Sequence, residues 1–551
     1  MRFRILVCAP AVCYVLALSF LQRIQSADAL LVKKRLADSP AHKQQAKHSF
    51  RFASTSSSYE LDQPVKPTNQ QSSSSSVSTS SSSSVASATI PQEVFNLVKS
   101  IIGAGTLSLP AGIALMASKG SGGNNGIILS TSCLLIAIMG SISAYTFSLI
   151  ARVCKMTKSD TYAECWRATR GQSMAWIIAL SSTLDCFAGN LTFSMVLADT
   201  FRQLLSSICV LGGKGIIFPS VFKTIGAYNS RTMVLLLLTM TTLIPLCCVK
   251  NLSSLAPFSL VGIIGMVYMA VVIALRYFDG SYRLPGGRFL ADLNSLPSLE
   301  GGGIGGDVSF LSPLTNPKSL ILVSMLSTAF IAHFNAPKFY RELKDSDTKP
   351  KRFHLGVVAS SFALCVFFYA FVSSMGYLTF GSATKGMILS NYSNKDVLIS
   401  LSRFAMGLSL IFSYPLLFVG LRDGIVDLIN QVRPLLHKNK TDKMMKQPQK
   451  QLVLTDQQSN RVTVGLVSLI TILALKITDL TFVASMSGAL LGTSLIFIFP
   501  PLMFRSALAM ESKRTNTPFT KLQIFERRLC SFIVGLGIFI AGVGTKMAWT
   551  R

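Results

Sequence analysis

The sequence predicts an all-α protein that crosses a membrane eleven times. Half of its 551 residues are hydrophobic and only 14% are charged, whereas soluble proteins carry about a quarter charged residues. The apolar residues occur in recurrent blocks of about 20, the length that a helix needs to cross the hydrocarbon core of a bilayer. These two observations indicate a polytopic membrane protein in a lipid bilayer.

We place eleven spans after Pro91, and their lengths suit a crossing with some tilt. They cover residues 94–117, 125–151, 174–205, 232–249, 255–277, 319–337, 355–377, 397–420, 462–478, 481–504 and 530–549. The connection 278–318 is rich in Gly and Pro, so we expect a surface loop. Lys and Arg are concentrated in alternate loops, which predicts residue 93 on the cytosolic side and the C-terminus on the opposite side.

The first 90 residues differ from the rest of the chain. Residues 1–29 have a basic start, an apolar stretch and small residues, as a signal-like targeting segment does. Residues 30–90 are Ser-rich and basic, and we expect them to be a disordered or transit-like tail. The alternative is an uncleaved anchor with a dispensable cytosolic tail. A cleaved secretory signal would put the tail on the face opposite to the one that the loops predict, unless a second import step resets the topology. The membrane therefore stays open among endomembranes, the vacuole, the plasma membrane and a complex-plastid membrane.

The composition excludes several other classes of protein. The net charge of +28 comes mostly from short loops, so we expect no nucleic-acid partner. Most of the 11 cysteines lie inside apolar runs, where they act as small hydrophobic residues. The sequence has no P-loop, zinc-protease motif, nucleophile elbow or catalytic carboxylate pair. We therefore expect neither an enzyme nor a bound cofactor or metal.

The first span carries weak helix-forming residues in the middle of its apolar run. In "NLVKSIIGAGTLSLP", residues 96–110, Gly103 and Gly105 lie about ten residues into the span and therefore near its midplane. Non-helical backbone at that depth persists only where it lines a cavity. A break would leave free N–H groups around Thr106 to Leu109, which suit a carboxylate. The alternative is that the two glycines only let a neighbouring helix pack closely.

The sixth span shows a second candidate break. The segment "SMLSTAFIAHFNAPKFYREL" places hydroxyl groups, His333 and Asn335 in an apolar helix ahead of Pro337. Spans 1 and 6 are the paired positions of a five-plus-five inverted repeat. Two broken helices that face each other at the midplane are typical of secondary transporters.

Several segments resemble the amino acid/auxin permease family, which includes sodium-coupled neutral and proton-coupled amino acid transporters. The resemblance extends in order over residues 91–550. It is carried by "FNLVKSIIGAGTLSLP", "DTYAECWRATRGQ", "FAGNLTFSMVLAD", "PLCCVKNLSSLAPFS", "FIAHFNAPKFYREL", "GYLTFGSATKGMILSNY", "FSYPLLFVGLRD" and "MSGALLGTSLIFIFPPL". It implies the inverted-repeat fold with the N-terminus inside and the movement of amino acids by alternating access.

The resemblance also implies site residues, which we carry over by position. Those that would meet the substrate carboxylate are Gly103, Ala104, Gly105 and Thr106. The backbone carbonyls that would meet the amino group belong to Ser327, Ala329 and Phe330. Ser413 matches a hydroxyl that helps to hold sodium in the sodium-coupled members.

Two departures from the family pattern favour protons over sodium as the coupling ion. Lys99 stands where sodium-coupled members often carry Asn, and Asp185 stands where relatives carry an uncharged polar residue. Ionisable groups at that depth are costly and suggest function. His333, the one histidine that we place inside a span, is a second candidate proton carrier. The alternatives are a structural partner for Asp185, a hydrogen bond within its own helix for His333, and snorkelling of Lys99 to the interface.

The sequence thus predicts a secondary active transporter of amino acids, and the few charges near the cavity favour neutral L-amino acids. An amino-acid sensor that signals through the N-terminal tail is the main alternative, ahead of a membrane enzyme or a channel. We expect a monomer whose partners are the substrate and the bilayer. Asn391-Tyr392-Ser393 forms a glycosylation-type sequon in a loop predicted to face outward. Asp199, at the outer end of span 3, is expected to cap the helix or to contact solvent rather than to catalyse a reaction.

Overall fold

The computed structural model describes residues 88–117, 125–212, 230–249, 258–293, 312–343, 346, 348–437 and 455–550. The targeting segment 1–29 and nearly all of the Ser-rich tail lie outside these residues. The same holds for residues 250–257 between spans 4 and 5 and for parts of the other long loops.

The described residues form ten helices that are long and apolar enough to cross a membrane, and an eleventh span formed by a bent pair of helices. The chain is therefore a multi-pass membrane protein, as predicted. The spans, numbered 1 to 11, contain the helices Ile90–Ile101 and Leu109–Ala117 (1), Asn125–Thr157 (2), Ala175–Gly212 (3), Arg231–Leu238 and Ile244–Cys248 (4), Phe258–Phe278 (5), Ser319–Ala329 and Ala336–Glu342 (6), Ser360–Phe380 (7), Val397–His437 (8), Asp456–Lys476 (9), Leu480–Ser487 and Phe499–Thr515 (10) and Lys521–Trp549 (11).

In the part of the chain that the structure describes, four π-helical segments continue the helices of spans 4, 7 and 10. They are Thr239–Leu243, Arg352–Ala359, Gly488–Gly492 and Ser494–Ile498. Several helices extend beyond the predicted spans, because a helix continues through polar residues after its apolar run ends. Span 8, expected to end at residue 420, reaches His437. Span 7 begins at Arg352, so His354 also lies within a span and His333 is not the only such histidine.

The loop between spans 2 and 3 contains a helix, Tyr162–Arg170, that is fastened to span 10. A capping box between Thr161 and Glu164 starts this helix. The Tyr162 hydroxyl donates to the carbonyl of Leu495 at 3.2 Å. The Trp166 ring packs edge-on against Phe499, with 5.1 Å between the centroids. The segment "DTYAECWRATRGQ" therefore joins the loop to span 10 through its aromatic residues.

Span 10 gives the first half of span 6 a close-packed surface made of glycine backbone. A Cβ on Gly488 would lie 1.8 Å from the carbonyl oxygen of Ser324, and one on Gly492 would lie 2.9 Å from that of Ser327. The Thr328 hydroxyl donates to the carbonyl of Ala484 at 2.8 Å. Small residues at a helix interface allow such close approach in membranes. The half-helix Ser319–Ala329 is thus held against span 10.

A network of charged and aromatic side chains joins the end of span 5 and the loop after it to the loop between spans 7 and 8. Arg276 donates to both carboxylate oxygens of Asp396, at 2.7 Å each. The Tyr282 hydroxyl donates to Asp396 at 3.0 Å. Burial and the Asp396 carboxylate raise the pKa of Tyr282 well above its usual value, so the hydroxyl remains a donor. The expectation of a plain surface loop is therefore wrong at Tyr282, which is buried.

Two polar residues that the sequence suggests are exposed have defined partners in the structure. Asn391 is buried, donates to the carbonyl of Ala383 and accepts from the amide of Lys385, both at 2.8 Å. This asparagine is a structural part of the turn, and its amide is not available to a glycosylating enzyme in the folded protein. Asp199 accepts a hydrogen bond from Arg231 of span 4 at 2.9 Å, and its side chain is 28% exposed. It therefore pairs with a cation in addition to the expected contact with solvent.

The packing of span 6 on span 10 leads to a stability prediction. We expect Gly488→Ala to lower the free energy of unfolding by about 1–3 kcal/mol or to abolish folding, because backbone atoms occupy the space that the new Cβ needs. Thermal unfolding in detergent, followed by the loss of monodisperse protein, measures the change. Gly535→Ala is the matched control, because a Cβ there meets nothing within 4 Å. Equal stability of the two variants would contradict the described packing.

Candidate substrate site at two interrupted helices

Span 1 is interrupted where its two glycines lie. The first half-helix ends at Ile101, the second begins at Leu109, and the two are bent by 54°. Gly103 adopts an extended conformation with φ −141° and ψ −159°, and Ala104–Leu107 form a 3-10 turn. Glycines weaken a helix because they lose the most conformational entropy when it forms. The predicted break is thus confirmed.

The break leaves three consecutive backbone amides without a hydrogen-bond acceptor. The N–H groups of Gly103, Ala104 and Gly105 donate to no acceptor in the part of the chain that the structure describes. The amides of Thr106 and Ser108 donate to the carbonyls of Gly103 and Gly105, at 3.2 Å each. The expected register of free amides, Thr106 to Leu109, is therefore wrong for Thr106 and Ser108, because the 3-10 turn uses those donors. Consecutive free amides form a concavity that binds anions.

Close packing requires glycine at neither of the two positions. A Cβ on Gly105 would lie 3.4 Å from the Cα of Ala329 in span 6, which is ordinary van der Waals contact. A Cβ on Gly103 would meet nothing within 4 Å. The backbone at Gly103 thus borders open space, as a ligand site requires. The contact between Gly105 and Ala329 also shows that the two interruptions face each other.

Span 6 is interrupted between Ala329 and Ala336. Phe330 has φ −90° and ψ 7°, a 3-10 turn covers His333–Asn335, and Pro337 lies in the first turn of the second half-helix. The carbonyl of Ser327 lies against Gly492 of span 10. The predicted second break is confirmed.

The hydroxyl of Tyr369 in span 7 connects the two breaks. It lies 2.8 Å from the carbonyl oxygen of Ile101 and 2.8 Å from that of Ala329. The side-chain oxygen of Thr106 is buried nearby and has no hydrogen bond of good geometry. Sequence reasoning missed Tyr369. The available signal was a phenol in the middle of the apolar run "CVFFYAFV".

The candidate coupling residues lie on different spans. Lys99 lies partly exposed in the last turn of the first half-helix of span 1, where the helix dipole favours a cation. Asp185 is 9% exposed and makes no hydrogen bond or ion pair with any described residue. The structural pairing considered for Asp185 is therefore not observed. Ser413 lies in span 8, beside Tyr414, whose hydroxyl accepts from Ser194 of span 3 at 3.3 Å.

His333 is fully buried and bonds to span 2 rather than within its own helix. Its Nε2 atom lies 3.1 Å from the carbonyl oxygen of Ser143 and 2.9 Å from the hydroxyl of Thr146. A carbonyl oxygen can only accept, so Nε2 carries the proton. The Nδ1 atom then has a free lone pair and no partner among the described residues. Neither a hydrogen bond nor an ion pair links Lys99, Asp185 and His333 in the described ranges.

Comparison with known proteins identifies the family. Residues 86–546 match the family described as transmembrane amino acid transporter protein. The chain belongs to this family. Amino acid transport is therefore the activity of its class, and the class is one of transporters rather than enzymes.

Individual relatives align with most of this chain at low sequence identity. The Arabidopsis thaliana protein "Amino acid transporter AVT6E" is 25% identical over 463 residues, which cover 82% of this chain and 81% of that protein. The Danio rerio "Sodium-coupled neutral amino acid transporter 7" is 22% identical over 427 residues, covering 77% and 80%. Among solved structures, the inward-facing conformation of Mhp1 is similar with a TM-score of 0.48 and 12% identity, covering 83% of this chain and 88% of that chain.

The open space at Gly103 leads to a binding prediction. We expect Gly103→Ala to fold normally, because its φ and ψ are accessible to alanine, and to weaken amino acid binding about tenfold or more, about 1.4 kcal/mol. Isothermal titration of purified protein with L-alanine, L-glutamine, L-leucine and L-phenylalanine measures the affinity. Gly465→Ala in span 9 is the control, since its Cβ also meets nothing within 4 Å. Unchanged affinity in Gly103→Ala would remove this position from the site.

Proposed function

We propose that the protein is a proton-coupled carrier of neutral L-amino acids that works by alternating access. The observation that carries the proposal is the pairing of the two breaks: free N–H donors lie in span 1, and the carbonyl of Ala329 lies opposite them in span 6. An amino acid zwitterion has the complementary groups, a carboxylate that accepts and an ammonium that donates.

In this proposal the substrate carboxylate binds the amides of Gly103, Ala104 and Gly105, with the hydroxyl of Thr106 as a further donor. The positive end of the second half-helix adds to the attraction. The amino group binds backbone carbonyls at the end of the first half-helix of span 6, those of Ala329 and Phe330 and that of Ser327. Neutral substrates fit because the residues of the two breaks, 102–108 and 330–335, include no Asp, Glu, Lys or Arg. The name of the Danio rerio relative supports the same class.

The contacts of span 6 support a hinge at its break. Its first half-helix is held by the glycines of span 10, whereas His333, at the start of its second half, is bonded to span 2. The two halves therefore belong to different packing units. We propose that spans 1, 2, 6 and 7 rock against the other spans, and that the interruptions absorb the change in backbone angles.

Asp185 is the favoured proton carrier. A carboxyl group is neutral when protonated, so a proton that arrives with the substrate removes a charge from a buried site that has no partner among the described residues. His333 would instead gain a charge in a fully buried position, through its Nδ1 atom. The ammonium of Lys99 disfavours sodium near the first break and adjusts the affinity of the carrier for protons. Sodium held with the help of Ser413 is the alternative coupling.

The test is uptake into proteoliposomes with pH and sodium gradients imposed separately. The labelled substrates are L-alanine, L-glutamine, L-leucine and L-phenylalanine. We expect an inward proton gradient to drive accumulation and a sodium gradient to have no effect. Binding without uptake would instead indicate the sensor, and accumulation driven by sodium would overturn proton coupling.

Asp185→Asn tests the proton carrier directly. Asparagine resembles the protonated carboxyl group, so we expect exchange of internal for external amino acid to continue while accumulation driven by the pH gradient falls about tenfold or more. Asp199→Asn is the matched control on the same span, because Asp199 is paired with Arg231. Full pH-driven accumulation by Asp185→Asn would exclude this residue as the carrier.

A further inference from the structure

One phenol hydroxyl serves two carbonyl groups at the centre of the molecule. The Tyr369 oxygen lies 2.8 Å from the carbonyl oxygen of Ile101 and at the same distance from that of Ala329. Neither carbonyl accepts a backbone hydrogen bond from any described residue. Tyr369 is itself fully buried, so both carbonyls depend on this hydroxyl.

Both carbonyls belong to the C-terminal ends of half-helices. Ile101 ends the first half-helix of span 1, and Ala329 ends the first half-helix of span 6. The C-terminal end of a helix carries the negative end of its dipole and leaves carbonyls unpaired. Two such ends that converge on one point form a site for a cation with several hydrogen-bond donors. A phenol, which is neutral and has one proton, satisfies that site incompletely.

We propose that Tyr369 is a placeholder for the amino group of the substrate: it fills the cation site between the two half-helices in the empty carrier and leaves it when an amino acid binds. This inference rests on the proposed function and assigns to it a positioning residue outside spans 1 and 6. An ammonium group donates three charge-assisted hydrogen bonds, which are stronger than those of a neutral hydroxyl. It therefore displaces the phenol from Ile101 and Ala329.

The surroundings of Tyr369 permit this exchange without a large movement. Its ring packs edge-on against Phe330, with 5.0 Å between the centroids. Because the phenol oxygen is rigidly attached to the ring, the hydroxyl changes its partner by a small tilt of the ring about the side-chain torsions. The oxygen of Thr106 lies close by without a hydrogen bond of good geometry and is the natural new partner. Because Thr106 belongs to the same turn as the free amides of Ala104 and Gly105, the exchange links the amino-group site to the carboxylate site.

Tyr369→Phe tests the placeholder because it removes only the hydroxyl. The empty variant keeps two buried carbonyls without a donor, and an amino acid then binds without displacing one. We expect the dissociation constant for L-alanine, L-glutamine, L-leucine or L-phenylalanine, whichever the wild type binds, to fall about fivefold. This factor corresponds to about 1 kcal/mol, the net value of one hydrogen bond. The melting temperature of the empty variant should fall, and its rise on binding should exceed that of the wild type.

Carboxylates that lack an amino group provide the chemical control. Competition by propionate and by 3-phenylpropionate should change less than twofold in Tyr369→Phe, since these molecules have nothing to place between the carbonyls. Tyr377→Phe is the matched variant in the same helix, because the Tyr377 hydroxyl donates to Asn125 at 3.2 Å, away from the breaks. It should leave the dissociation constants unchanged.

The outcomes separate this inference from the proposed function. If the wild type binds none of the four amino acids, the proposed function fails and the placeholder fails with it. If the wild type binds but Tyr369→Phe binds equally or less tightly, or if the amino-free carboxylates gain as much as the amino acids, the placeholder alone is overturned. If Tyr369→Phe does not fold, structures of the wild type with and without substrate decide. A distance from the Tyr369 oxygen to the carbonyl of Ala329 that stays at 2.8 Å on binding would overturn the inference.

Discussion

The unpaired amides of Gly103, Ala104 and Gly105 are the constraint on which the rest of the structure depends. In the hydrocarbon region each backbone polar group must find a partner, because an unsatisfied group costs several kcal/mol. At the break of span 1, three such groups find no acceptor among the residues that the structure describes, and the break of span 6 lies opposite them. The glycines make the break possible, and an anionic ligand would supply the missing acceptors. The unpaired amides that make the break unfavourable are thus the same groups that can bind the ligand.

The surrounding spans hold the two breaks opposite each other. The glycines of span 10 hold the first half of span 6, His333 ties the start of its second half to span 2, and Tyr369 joins the half-helices of spans 1 and 6 through their carbonyls. These contacts divide span 6 between two sets of neighbours. A ligand that exchanges hydrogen bonds at the breaks can therefore change how the two sets lie against each other, because the connecting backbone is not fixed by helical hydrogen bonds.

Sequence reasoning succeeded where the signal was local and failed where it depended on tertiary contacts. Apolar blocks gave the number of spans, and Gly103, Gly105 and Pro337 gave the position of both breaks. The register of the free amides was wrong because glycine placement does not reveal that a 3-10 turn will use the donors of Thr106 and Ser108. Tyr369 was missed because a phenol in an apolar run is usually a packing residue, and its partners are distant in sequence. The role of Asn391 was hidden for the same reason, since its triplet reads as a glycosylation sequon although its amide completes a turn.

The most direct measurement is a structure of the protein determined in a lipid nanodisc with a bound neutral L-amino acid. The account predicts that the substrate carboxylate lies within about 2.7–3.2 Å of at least two of the amide nitrogens of Gly103, Ala104 and Gly105. A substrate whose carboxylate is held elsewhere, while these amides pair with the protein's own backbone, would contradict it.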